Sequence, residues 1–571
     1  MKKILAMLLA VVMVIGMFAA CTPAVTNPTT TTAKKDEPGT TTTAEIIPEE
    51  LTLKILCSNE LQGNLDFADR EDWNVWPAFV KMCEDRNLTI EFECIEKDQY
   101  ANQLAMVLAG DVEDMPDAVW LGAEAIMSTA QRVDAVQEGL FYSITDIAKY
   151  SDGTFTAWLE KYPAYAARTS WTDGELYWIG EYQEVTYYGE TVDLGHGASK
   201  GMTVRLDWLD ALGYTEIPNT IEEIEQFIVD CQEADLNGTG VKDEVFLQGL
   251  EHLWGCGINV YYGVPRTQYA FNLKTGKVDY AWYAEGAKEM VATIIDWLEK
   301  GLIPQDRIGK SSGTTAYRTA NKVAVYNAYF CDNWSLGVTQ VPEGADPAVL
   351  IGCIPDTTVH PNAYMPTDSA PTMDNRSFAF TKALSHPAAA AALLDIISSE
   401  EYKELIHWGT EGESFVVVNG NKQLINGAES YDKAAETGIM IGNAVFSFGI
   451  LPCVGNIYDL LSDENLCSVD ASGRMRKVFQ EAMKWEVSYP DQPAAYYAIP
   501  TPEENEILAT YEADLQTLEG EIFIDFLTGV RNLETDWEAA IAELEAAGLK
   551  EVLEVYQARA DRFAALTGIT G

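Results

Sequence analysis

The amino-acid sequence predicts an α/β protein of two lobes built on parallel-rich sheets. Residues 51–57 and 89–94 have the apolar pattern of strands, and each is followed by a stretch of helical periodicity, residues 76–83 and 100–108. A β-α-β-α order places parallel strands in one sheet and makes the helices its crossovers. The chain has 571 residues, more than a single hydrophobic core serves, so at least two lobes are required.

The first segment takes no part in these lobes. Lys2 and Lys3, an apolar run from Ile4 to Val14 and the small pair Ala19-Ala20 before Cys21 read as a secretion signal over residues 1–21. The run is too short for a permanent membrane span. Bacterial lipoprotein signals resemble L-x-[A/G]-C, so Cys21 is the expected lipidation site, with Phe18 standing where Leu is usual. Residues 22–50 are Thr- and Pro-rich with almost no large apolar side chains and read as a disordered linker. The expected location is the extracellular face of the cell membrane, held through a lipid anchor.

Composition narrows the partners. Asp and Glu outnumber Lys and Arg 88 to 38, a net charge of −50, which excludes nucleic acid and repels phosphates and anionic lipids. A neutral small molecule fits this surface better. Aromatic residues at 11% fill cores and leave a surplus for binding. None of the ten cysteines forms a C-x-x-C pair, so zinc-ribbon and thioredoxin readings lapse.

Taking the elements in order, residues 115–120 form a short strand after Gly110-Asp111, and ligands of open α/β sheets gather at the carboxyl ends of strands. Trp120 and Glu124 lie just past such an end. A strand near 202–206, a helix from Asp207, a helix over 220–233 and a helix over 284–300 stopped by Gly301 follow. Residues 323–330 are an apolar run before Asn333-Trp334. Residues 349–354 and 378–380, then a helix over 387–397, come next. Helices opening at Glu400 and Thr501 and a last one over 549–563 complete the chain.

Between two of these elements stands Asp235-Leu236-Asn237-Gly238-Thr239-Gly240-Val241-Lys242-Asp243-Glu244. Oxygen-bearing residues recur here at the spacing a hard cation needs, since calcium takes 6 to 8 oxygens at once. Asp235, Asn237, Thr239, the Val241 carbonyl, Asp243 and Glu244 are the candidate calcium ligands, and Gly240 permits the bend. The order resembles an EF-hand up to Gly240, yet position twelve is Phe246 rather than a bidentate Glu. A metal-free turn is the alternative, because Asp, Asn and Gly favour turns on their own.

Arg205-x-Asp207-Trp208-Leu209-Asp210-x-Leu212-Gly213, Pro218-x-Thr220-x-Glu222-Glu223, a helix and this loop together resemble the lipoprotein-type extracellular solute-binding proteins of bacterial sugar importers. Asp173-Gly174-Glu175-Leu176-Tyr177 and His407-Trp408-Gly409-Thr410-Glu411-Gly412 extend the resemblance beyond Leu51. It implies a type II periplasmic-binding-protein-like fold whose chain crosses between lobes more than once, with residues 51–180 and 330–400 in lobe 1 and 181–329 and 401–571 in lobe 2. It also implies a monomeric receptor for a carbohydrate, an oligosaccharide above all, serving the permease subunits of an ABC importer. Trp120, Trp254, Trp334 and Trp408 are expected to stack on that ligand, with Glu124 as acceptor. Ordinary core packing is the competing reading for each tryptophan.

Catalytic signals do not survive their context, and no enzyme is expected. Gly197-x-Ser199-x-Gly201 lacks the strand-turn-helix setting of a nucleophile elbow. Gly309-Lys310-Ser311 has Pro304 where a phosphate loop needs glycine, and the five histidines form no H-E-x-x-H. An exported glycoside hydrolase stays as the alternative, since its carboxylate pair is recognised in space rather than in sequence.

Overall fold

The computed structural model describes residues 51–59, 67–72, 75–122, 126–162, 165–166, 170–180, 182–184, 186–187, 190–191, 200–329, 331–332, 350–365, 377–412, 415–418, 420–424, 454–456, 474–482, 484–485, 489 and 497–567. The secretion signal, Cys21, the linker, Glu124, Ser199 and Trp334 lie outside them.

The first sheet forms around β1 (Leu51–Ser58), whose Leu53, Ile55, Leu56 and Cys57 are all buried. Strand β2 (Leu88–Ile95) runs parallel to it in register from Leu51↔Leu88 to Ser58↔Ile95. On the other side β3 (Ala118–Gly122) is also parallel, through Ile55 and Leu56. Helices α1 (Trp76–Glu84) and α2 (Lys97–Leu108) make the expected crossovers. Downstream of β3, α3 (Thr129–Gln137) begins at Ser128, whose side chain accepts from the Gln131 amide in a capping box.

The second sheet gathers β4 (Lys200–Arg205), β5 (Val245–Leu247), β8 (Val323–Tyr329), β9 (Cys331–Asp332) and β10 (Leu350–Gly352) in the order β9-β10-β4-β8-β5. Only β5 and β8 pair in parallel there, so the parallel content is concentrated in the first sheet. A separate hairpin joins β6 (Tyr269–Asn272) to β7 (Lys277–Tyr280). Helix α4 (Leu206–Leu212) follows β4, and α5 (Ile221–Ala234) starts where the Thr220 side chain accepts from the Glu223 amide. Helix α6 (Ala287–Glu299) buries Met290, Val291, Ile294 and Trp297 in the same core as Phe227, Ile228 and Phe246. Burying a side chain of this kind contributes about 1.5–3 kcal/mol.

The crossing back differs from expectation. Leu350–Gly352 joins the second sheet, antiparallel to β4 with Ile351 opposite Val204, instead of returning to the first. Cys331–Asp332 likewise pairs within the second sheet. A short apolar run carries no mark of which sheet it completes, and β4 offered an open edge to it. The first sheet is rejoined only by β11 (Ser377–Phe380), antiparallel to β3. The helix α7 (Pro387–Ile397) then packs its apolar residues into the first core. Its buried Asp395 is satisfied by Ser151 Oγ at 2.5 Å and the amides of Asp152 and Phe155 at 2.9 Å. Helix α8 (Glu400–Trp408) stays with that core through Tyr402 and Leu405.

Three helices close the chain: α9 (Pro502–Leu527), α10 (Leu533–Ala546) and α11 (Leu549–Thr567). Helix α9 begins with a capping box between Thr501 and Glu504 and with Pro502 in its first turn. No helix among the described residues is long and apolar enough to cross a membrane.

Candidate functional site

The acidic loop grows out of the end of α5. Asp235 takes φ 49, and Gly238 and Gly240 take φ 71 and 74, so the chain turns sharply where left-handed backbone is cheapest. Both Asp235 carboxylate oxygens accept from the Gly240 amide at 3.0 Å. Asn237 donates its Nδ2 to Asp243 Oδ1 at 2.8 Å and its backbone amide to Glu244 Oε1 at 3.1 Å. Thr239 Oγ1 donates to Asp243 Oδ1 at 3.0 Å and also lies 3.2 Å from the Val241 carbonyl. Burial works against the Asp243 carboxylate, yet hydrogen bonds from Asn237, Lys322 and Thr239 hold its pKa below the ordinary value.

The predicted gathering of three carboxylates about one point is not what the loop shows. Among the described residues no three His, Cys, Asp or Glu side chains are grouped to share an ion. Both Asp235 oxygens are turned to the Gly240 amide and Asp243 Oδ2 to the Lys322 ammonium. Even so, the donor set suits a hard cation, and Glu244 is fully buried with Oε2 lacking any hydrogen-bond partner. An orphaned, buried carboxylate oxygen beside this loop fits a bound cation. Phe246, at the twelfth position, is core instead, edge-on to Trp297 with centroids 5.8 Å apart.

A cavity of about 660 Å³ opens between the amino-terminal end of α3 and the carboxyl-terminal helices. Ser128 and Thr129 border one side, and Trp254, Gln268, Tyr269, Tyr497, Gln516, Tyr556 and Arg559 line the rest. Trp254 sits in a short turn at 253–255 with one ring face covered by His252, centroids 4.7 Å apart and planes at 6°. Tyr269 stacks on Tyr556 at 4.5 Å. The charges at this wall are already engaged: Arg559 donates Nε to the Ala498 carbonyl at 2.8 Å and lies over the rings of Tyr497 and Tyr556, while Glu512 accepts from the Tyr556 hydroxyl at 2.5 Å. Aromatic faces and uncharged polar edges remain, which suits a neutral ligand with C–H faces and hydroxyls.

The predicted site residues divide. Trp254 lines the cavity. Trp120 does not; it is half-buried in β3, packs on Tyr100 with centroids 5.4 Å apart, and has a buried indole N–H without a partner. Trp408 is the last residue of α8, its side chain outside the described residues along with Glu124 and Trp334.

Sequence reasoning missed Gln268, Tyr497, Gln516, Tyr556 and the buried Glu519. The available signal was the run Glu512, Gln516 and Glu519 at i, i+4 and i+7 on α9, a polar stripe on a helix otherwise rich in buried apolar residues. Glu519 is fully buried, accepts the Tyr280 hydroxyl on Oε1, and has its pKa pushed up by burial to about 8, with Trp254 and Gln268 drawing it partly back.

No protein-family model matches the chain. Over 207 residues it is 26% identical to the fructooligosaccharide ABC transporter substrate-binding protein FusA of Streptococcus pneumoniae, a match spanning 34% of this chain and 35% of that relative, about a third of its length. The FusA structure with kestose superposes with a TM-score of 0.63 at 18% identity, covering 90% of this chain and 99% of that one; another FusA structure is of an EF-hand mutant in complex with fructo-nystose. An HMO-binding ABC-transporter-associated solute-binding protein from Bifidobacterium longum infantis gives 0.64 at 18% identity, with 90% and 99% covered. The alginate-binding protein AlgQ2 without calcium ion gives 0.63 at 16% identity over the same shares. The fold of this chain is that of the solute-binding proteins of ABC importers.

Proposed function

We propose that this chain, folded as the solute-binding receptors of ABC importers fold, binds a neutral oligosaccharide outside the cell and hands it to importer permease subunits. The observation that carries the reading is the 660 Å³ cavity with Trp254 on its wall and its charged side chains already engaged. Glu124, Trp334 and Trp408 are the candidates for the remainder of the ligand surface. Each lobe carries one of the two sheets, and the receptor works as a monomer tethered by lipid on Cys21 through the 22–50 linker. Relatives of this fold are named for fructooligosaccharide, HMO and alginate ligands, which supports the saccharide class. No observation favours the glycoside hydrolase reading.

Asn237, Thr239, the Val241 carbonyl, Asp243 and Glu244, with Asp235, would hold calcium. When bound, the ion supplies charge neutralisation for the loop carboxylates and ties the end of α5 to the entry of β5. Its role is structural, as the loop and the cavity share no residue.

A thermal-shift panel of kestose, maltotriose, an alginate trimer and their monosaccharides tests the function, because a ligand bound only by the folded state raises stability as RT ln(1 + [L]/Kd). Kestose or maltotriose should raise the melting temperature and be recovered intact by chromatography, whereas a shift with the anionic alginate trimer alone contradicts a neutral ligand. Absence of any shift, or shortening of the sugar, contradicts the reading. For the anchor, mass spectrometry should find an acylated amino-terminal Cys21, and Cys21→Ser should release the protein from membranes.

A further inference from the structure

We propose that Glu519 is a positioning residue of the saccharide site, fixing the Trp254 indole and the Gln268 amide in the orientation that the cavity wall presents. The proposal rests on reading that cavity as the saccharide site. Glu519 stands on α9 one layer behind the wall: it is fully buried and does not itself line the cavity, whereas Trp254 and Gln268 do. Its Oε1 is taken by the Tyr280 hydroxyl. Its Oε2, Trp254 Nε1 and Gln268 Nε2 are buried, each without a hydrogen-bond partner, and the two N–H groups face the carboxyl closely enough to favour its ionised form. Two donors and one acceptor are thus held together at the back of the ligand wall.

The fold does not need an acid there. A buried carboxyl without full hydrogen bonding costs free energy that an apolar side chain of similar size would not. Trp254 is meanwhile clamped from its other face by the stacked His252, and α9 approaches so closely that a Cβ on Gly520 would meet His252 Cε1 at 3.2 Å. The ring can therefore be tuned only through its N–H edge, which is the edge Glu519 addresses.

Protonation sets that edge. The titratable groups facing Glu519 are Tyr269 and Tyr280 of the β6–β7 hairpin and His252 of the 252–255 turn, which lies beside Gly520; beyond Tyr269 stand Tyr556 and Arg559 of α11 and Glu512 on the same helix as Glu519. Arg559, the single cation of this set, is engaged with Ala498 and the rings of Tyr497 and Tyr556. The neutral acid, with an uncharged oxygen facing both donors, keeps Trp254 and Gln268 in the orientation that the wall presents, while the carboxylate draws Trp254 Nε1 and Gln268 Nε2 further to itself and turns both side chains away from the ligand. Saccharide affinity is then highest with Glu519 protonated and falls as pH rises through about 8.

Kestose titrated calorimetrically into the full chain and its variants between pH 6 and pH 9, with tryptophan fluorescence followed over the same range, tests this. Glu519→Leu should bind kestose about tenfold more weakly at pH 7 while melting no lower than wild type. Glu519→Gln, the neutral isostere, should restore wild-type affinity at pH 7 and lose the decline at higher pH. The wild-type fluorescence transition near Glu519 ionisation should vanish in both Glu519→Gln and Trp254→Phe. Wild-type affinity in Glu519→Leu, or an unchanged pH profile and fluorescence transition in Glu519→Gln, overturns the proposal. Loss of binding in Trp254→Ala alone leaves the site standing and removes Glu519 from it. Should wild type not bind kestose, the reading of the cavity falls for that sugar, and the fluorescence transition still decides whether Glu519 acts on Trp254.

Discussion

The Lys322 ammonium lies 2.8 Å from Asp243 Oδ2, joining the acidic loop to the start of β8. Calcium bound by the loop has to share that carboxylate with Lys322 or displace it. Raising calcium from none to about ten times its dissociation constant should stabilise the fold by about 1.4 kcal/mol, and a chelator should remove the gain. Lys322→Met, which removes the competitor, should tighten calcium binding and steepen the calcium dependence of melting. Identical melting in calcium and in chelator, for wild type and variant alike, would show that the loop is only a turn.

Glu519 should also mark the pH dependence of folding. Burial raises its folded-state pKa from 4.5 to about 8, so its contribution is fully present below the ordinary glutamate range and is lost as pH climbs through that window. Glu519→Gln cannot ionise. Its melting temperature relative to wild type should therefore rise from pH 4 to pH 8 and then level off. A constant difference across this range would mean that Glu519 titrates normally in the folded protein.

Cys57 and Cys94 face each other across β1 and β2 with Sγ atoms 3.6 Å apart. The contact with Cys94, together with burial, pushes the Cys57 thiol well above its ordinary pKa, while Arg70 acts in the opposite sense. Cys94 is only half-buried and within reach of a small disulfide, which takes up two protons and two electrons from the pair and should link the two residues, detectable as one cross-linked peptide. Cys231, Cys256 and Cys353 are buried, with their thiols likewise raised, and should stay unmodified. Recovery of Cys57 and Cys94 only as unlinked peptides would count against the pairing.

Much of the fold was legible because its signals are local. The alternation at 89–94, the Thr220 and Thr501 caps and the Gly301 stop each act within a few residues, and the elements appear where those residues place them. Partner choice is not local: Leu350-Ile351-Gly352 reads as a buried strand in any sheet, and only the free edge of β4 decides which. The site divides in the same way. The loop at 235–244 announces its oxygens through spacing, but the Lys322 contact that redirects Asp243 comes from a residue far along the chain. Trp254 is among the stacking candidates that the sequence names, whereas Gln268 and Tyr556 reach the same wall, and Glu519 the layer behind it, from three separate elements, and no spacing relates them.

Calorimetric titration of wild type and Trp254→Ala with kestose, maltotriose and an alginate trimer tests the central claim most directly. The account predicts that wild type binds at least one of the two neutral sugars in preference to the anionic alginate trimer, that Trp254→Ala weakens that binding by about 1.4 kcal/mol or more, a factor of ten, and that its melting temperature is nearly unchanged because Trp254 lines the cavity. Binding by Trp254→Ala equal to wild type, or its loss together with the early melting expected when a core tryptophan is truncated at a cost of about 3–5 kcal/mol, would contradict it.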